Sequence, residues 1–221
     1  MGHVRRTTLV LVAFALCAAP AAIAHVGHRD ADAIVAPADK VAGGELLGEA
    51  WFQGLSHPAG TFSGGCIPLG QRGRVIEPER GPDSTSSCTV KRGTKVFVFF
   101  GAECSNVEPP PDFGADFAAQ RVCARAASEA VQTVRVTVDD DLSVDIHRRR
   151  FELLSPQRTV NLPPDNVLGV PPQTATFSAH AWGALVSKLR PGEHTIAGEF
   201  VAAGFDASFT LFLDVSRGHR Q

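Results

Sequence analysis

Between Phe205 and Val215 apolar and polar side chains alternate with a period of two. Phe205, Ala207, Phe209, Leu211, Leu213 and Val215 fall on one side; Asp206, Ser208, Thr210 and Asp214 fall on the other. An extended strand places successive side chains on opposite faces, so this stretch belongs to a sheet with one face against a core. The same period recurs upstream. Val134, Val136 and Val138 alternate with Arg135 and Thr137, and Leu142, Val144 and Ile146 alternate with Ser143, Asp145 and His147. Asp139-Asp140-Asp141 between them reads as a turn, which makes the pair a hairpin. Val96-Phe97-Val98-Phe99-Phe100 is a continuous apolar run and reads as a strand buried on both faces.

Further strands are expected at residues 159–162, 174–189 and 194–200, with a short one at 74–76 inside a long loop over residues 60–86. His180-Ala181-Trp182-Gly183 interrupts the longest of these; the glycine marks a bulge and Trp182 belongs to the core. Two segments have helical spacing. Residues 45–55 place Leu47, Trp51 and Leu55 four apart and stop at His57-Pro58-Ala59-Gly60. Residues 117–131 are rich in alanine, follow Pro109-Pro110-Pro111, and take Asp112 or Asp116 as cap. Eight or nine strands and two helices predict a mainly β (α+β) fold, a β-sandwich or jelly roll.

The chain opens with an address. Arg5 and Arg6 precede an apolar run from Thr7 to Ala22, and Ala22-Ile23-Ala24 is an A-x-A cleavage signature. This is the pattern of a secretory signal peptide. The run is shorter than the ~20 apolar residues a bilayer span requires, and Pro20 lies inside it. Cleavage after Ala24 places His25 first and predicts no stable membrane span. The division expected is 1–24 signal peptide, 25–44 flexible polar arm, 45–216 one β-sandwich domain, and 217–221 tail.

Export changes the reading of the cysteines. Past the leader the chain has Cys66, Cys88, Cys104 and Cys123. An even number in an oxidising compartment predicts two disulfides. Three connectivities exist; Cys66–Cys88 and Cys104–Cys123 are favoured because each closes a local loop. A four-cysteine zinc site is disfavoured, since no C-x-x-C pair occurs. The leader carries two of the 21 basic residues and none of the 23 acidic ones, which leaves the remainder at net −4. That balance argues against a nucleic-acid partner, which would require a basic face.

Catalytic signatures are sparse. A histidine freed at position 25 could chelate Cu(II) through its amine and imidazole, with His180 or His194 as remote ligand and His28 as a nearby one. This arrangement is the histidine brace of secreted copper monooxygenases, and the similarity stops there. Asp139, Asp140 and Asp141 are better suited to a solvated turn than to calcium. Arg148 and Arg150 of the His147–Arg150 tetrad are candidates for an anionic ligand on a strand end. A serine hydrolase lacks G-x-S-x-G. Glu77, Glu79, Glu103 and Asp112 are the acids from which a glycosidase pair would come. None of these sets amounts to a catalytic, cofactor or metal assignment.

Several blocks occur in a characteristic order: Gly48-Glu49-Ala50-Trp51-Phe52, then Gly65-Cys66 and Gly70-Gln71, Cys88-Thr89-Val90, and Gly93 to Phe100 followed by Glu103-Cys104-Ser105. Later come Leu154-Ser155-Pro156, Leu162 to Asn166, and Arg190-Pro191-Gly192-Glu193-His194-Thr195-Ile196. In this order they resemble an uncharacterised group of secreted proteins from high-GC bacteria, over residues 45 to 215. The resemblance implies export and a β-rich fold and supplies no substrate. The chain departs from the group at Val90-Lys91-Arg92-Gly93 and at His180-Ala181-Trp182. Together these features predict a secreted, non-enzymatic binding or cell-surface interaction module that uses no cofactor and meets an extracellular ligand. The alternative is a secreted enzyme, copper-dependent through His25 or a hydrolase with an unmarked site.

Overall fold

The computed structural model describes residues 33–62, 64–70, 73–78, 83–202 and 205–217. Two antiparallel-dominated sheets pack face to face, with one helix on the outer face of the first and a second helix wedged beside the interface.

The spine of the first sheet is β10 (Thr174–Ser187), fourteen residues long. Its whole length is needed because both edges are occupied. Along one edge runs β5 (Lys95–Ser105), paired antiparallel from Phe177↔Ser105 to Val186↔Val96 without a register break. Along the other edge three short strands follow one another: β9 (Arg158–Asn161), β8 (Glu152–Leu154) and β1 (Ile34–Pro37). Beyond β5 lie β3 (Val75–Pro78), parallel to it, and β2 (Cys66–Leu69).

The second sheet has the order β4-β12-β11-β6-β7, formed by Ser84–Lys91, Phe205–Ser216, Gly192–Ala202, Val131–Val138 and Leu142–Asp145. The β6–β7 turn is built on Asp139 and Asp140, both with positive φ (53° and 59°), a conformation aspartate tolerates better than most residues.

Alternation decides which face of each strand meets which layer. Val96, Val98, Trp182, Ala184 and Val186 face the second sheet, where Val134, Val136, Val138, Ile196, Leu211, Leu213 and Val215 meet them. The opposite face of the first sheet carries Phe97, Phe99, Ala179 and Ala181, and helix α1 (Lys40–Ser56) covers it with Leu47 and Ala50. A third cluster gathers Leu55 with Val160, Leu162, Ala175 and Phe177. Trp51 packs on Phe99 at 6.4 Å between ring centroids, a core role. Helix α2 (Phe117–Glu129) lies against the lower half of β5 and β10, capped by Asp116 Oδ1, which accepts from Ala119 N–H.

Both disulfides form in the expected pairing. Cys104–Cys123 ties β5 to α2. Cys66–Cys88 does more than close a local loop: β2 belongs to one sheet and β4 to the other, so the bond joins the two layers.

Three expectations need correction. The polar arm at residues 25–44 is not loose throughout. Ile34–Pro37 is a strand on the edge of β10, and α1 begins at Lys40, because Asp39 Oδ1 accepts from both Val41 and Ala42 N–H. The loop at residues 60–86 contains β2, β3 and the start of β4. Gly183 marks no bulge; β10 is regular there. A Cβ at position 183 would lie 2.6 Å from Leu153 Cδ1 and 3.1 Å from the Phe97 ring, so the glycine leaves room for the close approach of these two side chains.

Candidate functional site

Helix α2, β8 and the first turn of α1 leave a groove between them. Helical spacing puts Phe117, Arg121 and Arg125 on one line along α2, four residues apart, with Ala118 and Val122 beside them. The adjacent line, Gln120, Ala124 and Ser128, is buried. Gln120 acts as a polar peg. Its Nε2 donates toward the Gly114 and Thr176 carbonyls at 3.2 and 3.0 Å, and its Oε1 accepts from Gln157 Nε2 at 3.0 Å. Ser128 Oγ reaches the carbonyls of Ala124 and His180. The line of Arg121 and Arg125 is therefore held facing out, toward β8.

The 3-10 turn Arg149–Phe151 brings a third guanidinium to the same place. Lys40 Nζ donates to the backbone carbonyls of Arg149 (2.9 Å) and Glu152, which fastens the start of α1 to this turn. Two adjoining clefts result. One, of 270 Å³, is lined by Lys40, Arg125, Arg149, Glu152, Leu153 and Leu154. The other, of 350 Å³, is lined by Ala118, Arg121, Val122, Arg125 and Leu154. Arg125 and Leu154 belong to both.

Among the described residues Glu152 is the only carboxylate in either lining. Its Oε1 accepts from Arg125 Nη2 at 3.1 Å and lies 2.9 Å from His180 Nε2. His180 sits on β10 opposite Leu154 of β8 and is almost wholly buried. Burial pushes its pKa down, against the pull of Glu152; the hydrogen bond from His180 in turn lowers the pKa of Glu152, assisted by Arg125 and Lys40. The neutral ring with its proton on Nε2 fits this geometry, because Nδ1 is buried without a hydrogen-bond partner. A bare acceptor is less costly there than a bare donor would be.

The structure distributes the other candidates differently. Within the His147–Arg150 tetrad, Arg148 pairs with Asp145 at 3.0 Å and Arg150 lies over the Phe151 ring at 4.9 Å; Arg149, between them, lines the cleft. The residues expected to meet an anion are thus the occupied ones. The segment is a 3-10 turn, not a strand end, so its side chains do not simply alternate. His194 is held between Asp139 Oδ2 at 2.7 Å and the Arg190 carbonyl at 2.8 Å, and Asp139 Oδ1 accepts from Thr195 N–H. Asp139 is committed to this loop lock. His180 and His194 lie in different sheets, and His25, His28 and Glu79 fall outside the described residues. Glu77 is buried on β3, and Glu103 and Asp112 lie on β5 and the loop after it. Glu108 accepts from Ser105 Oγ at 2.8 Å, and burial pushes its pKa up. Trp182 is flanked by the rings of His147 and His180 at 4.4 and 5.5 Å and belongs to the core between the sheets. Among the described residues no three His, Cys, Asp or Glu side chains are grouped as metal ligands, and no helix is long and apolar enough to cross a membrane.

Sequence reasoning missed Arg121, Arg125, Lys40 and Glu152. The i, i+4 spacing of the two arginines on an expected helix was the available signal. Lys40 and Glu152 meet across 112 residues and gave none. No protein-family model, curated protein or solved structure matches this chain.

Proposed function

We propose that the chain is an exported, non-enzymatic binding module whose ligand face is the basic groove between α2 and β8. One observation carries the reading. In a chain of net charge −2, Lys40, Arg121, Arg125 and Arg149 converge from three separate segments on two adjoining clefts, opposed there by Glu152 alone. Convergent cations on a rigid scaffold favour an anionic partner. Export is supported by the signal-like leader and by two disulfides, which persist in oxidising compartments. The resemblance to a secreted bacterial group agrees with it.

The test is retention of the purified protein on cell-envelope fractions, for the wild type and an Arg125→Gln/Arg149→Gln variant, at low and high salt. Retention that salt and the double substitution both abolish supports the reading. Retention indifferent to both, or chemical turnover of the fraction, would overturn it.

A further inference from the structure

The two clefts differ in what they offer. The inner one is rimmed by Lys40, Arg125 and Arg149. Lys40 is already bound to two carbonyls and Arg125 is shared with Glu152, but Arg149 has no ion-pair partner among the described residues. The outer cleft adds Arg121, whose guanidinium stacks on Phe117 at 5.3 Å, and is otherwise apolar: Ala118, Val122 and Leu154. Val122 is 72% exposed, an apolar side chain turned away from the core on a helix whose buried line is complete without it. Cations at one end of a groove and uncovered aliphatic side chains at the other are complementary to a molecule built the same way.

We infer that the paired clefts bind a small amphiphilic anion, its acidic head on Arg149 and Arg125 and its apolar body across Leu154, Ala118 and Val122. This rests on the binding-module reading and narrows its ligand class. A bare inorganic anion leaves the aliphatic half uncovered. A neutral detergent-like molecule leaves the guanidinium of Arg149 without a counter-charge. Only a ligand with both parts engages both halves, and covering apolar surface contributes about 25 cal/mol per Å². The adjoining volumes of 270 and 350 Å³ lie at the lower end of the range of small-molecule sites.

The experiment is calorimetric titration of the intact protein with decyl phosphate below its aggregation concentration, with inorganic phosphate and decyl maltoside as single-property probes. The expected result is saturable 1:1 binding of decyl phosphate, about tenfold or more tighter than either probe. Arg149→Gln and Val122→Asp should each weaken it about tenfold, losing one charge-assisted contact or one apolar contact. Arg92→Gln, which alters a basic residue in a different cleft, should leave it unchanged. Inorganic phosphate binding as tightly as decyl phosphate would overturn the amphiphile while leaving an anion-binding module. Sedimentation with anionic vesicles but no binding of the monomeric amphiphile would overturn it in favour of a membrane surface. Binding of no anion in any form would remove both readings.

Discussion

His180 Nε2 and Glu152 Oε1 stand 2.9 Å apart at the floor of the groove, one side chain buried under the sheet and the other open to the cleft. The groups around the ring are Glu152, Arg125 and Glu129, with Lys40 acting on Glu152. The folded state lowers the pKa of His180 below its ordinary value near 6.5. The unfolded chain therefore binds the more protons as pH falls through that value. The stability that His180 contributes is complete above about pH 6.5 and declines below it toward the folded pKa. Glu152, also lowered, adds a further loss in the same direction at more acid pH. The melting temperature should fall between pH 7.5 and 5.5, and His180→Gln should flatten that part of the profile. Calorimetric scans across the range check this, and equal slopes for the two proteins would refute the assignment.

Gly44 lies where α1 crosses β8. A Cβ there would sit 2.4 Å from the Leu154 carbonyl oxygen, a backbone atom that no side-chain rotation can move aside. Glycine to alanine inside a helix ordinarily gains up to about 1 kcal/mol. Here displacement of the helix should cost about 1–3 kcal/mol and decide the sign. Gly44→Ala is expected to lower the urea midpoint; a raised midpoint would mean that the crossing is looser than described.

Sheet content was readable from the sequence in the longer strands, whereas β2 and β8, four and three residues long, gave no period to read. The alternation in β12 and the apolar run in β5 mark their strands directly. β4 was hidden because Ser84 to Ser87 carry little apolar signal; its strand is defined by backbone pairing with β12, and pairing partners are not written locally. β1 was hidden by its length of four residues, and the start of α1 by Gly43 and Gly44, poor helix formers retained for close packing. For the groove, the spacing of Arg121 and Arg125 was visible, but their meeting with Arg149 and Lys40 depends on topology.

Gln120 fixes the azimuth of α2. Gln120→Leu keeps similar bulk but takes the side-chain donor from the buried Gly114 carbonyl, while the Thr176 carbonyl keeps the Asn106 N–H and the exposed Gln157 amide turns to solvent. A buried group left unpaired costs about 1–3 kcal/mol. The variant should unfold at clearly lower denaturant, and its affinity for decyl phosphate should drop with it, as Arg121 and Arg125 lose their alignment. Chemical denaturation and the same titration read the two effects separately.

Removal of either disulfide should cost about 3 kcal/mol, since the closed loops are of similar length (separations 22 and 19). The expected difference lies in what loosens. Cys104→Ala/Cys123→Ala should raise hydrogen exchange in α2 first, and Cys66→Ala/Cys88→Ala should raise it in β2 and β4. Uniform acceleration across both sheets in each variant would contradict this.

The parallel pairing of β4 with β12 has a consequence for the order of assembly. β4 is complete by Lys91, but the strand that hydrogen-bonds it begins at Phe205, and Ser216 Oγ reaches back 126 residues to the Val90 carbonyl. β12 also lies between β4 and β11, so until it arrives each of those strands keeps a bare edge. Non-local pairing of this kind delays closure. A chain interrupted between Ser187 and Phe205 keeps β5 and β10 joined but cannot close its second sheet, and its exposed edges should make it adhere to other chains rather than fold by halves.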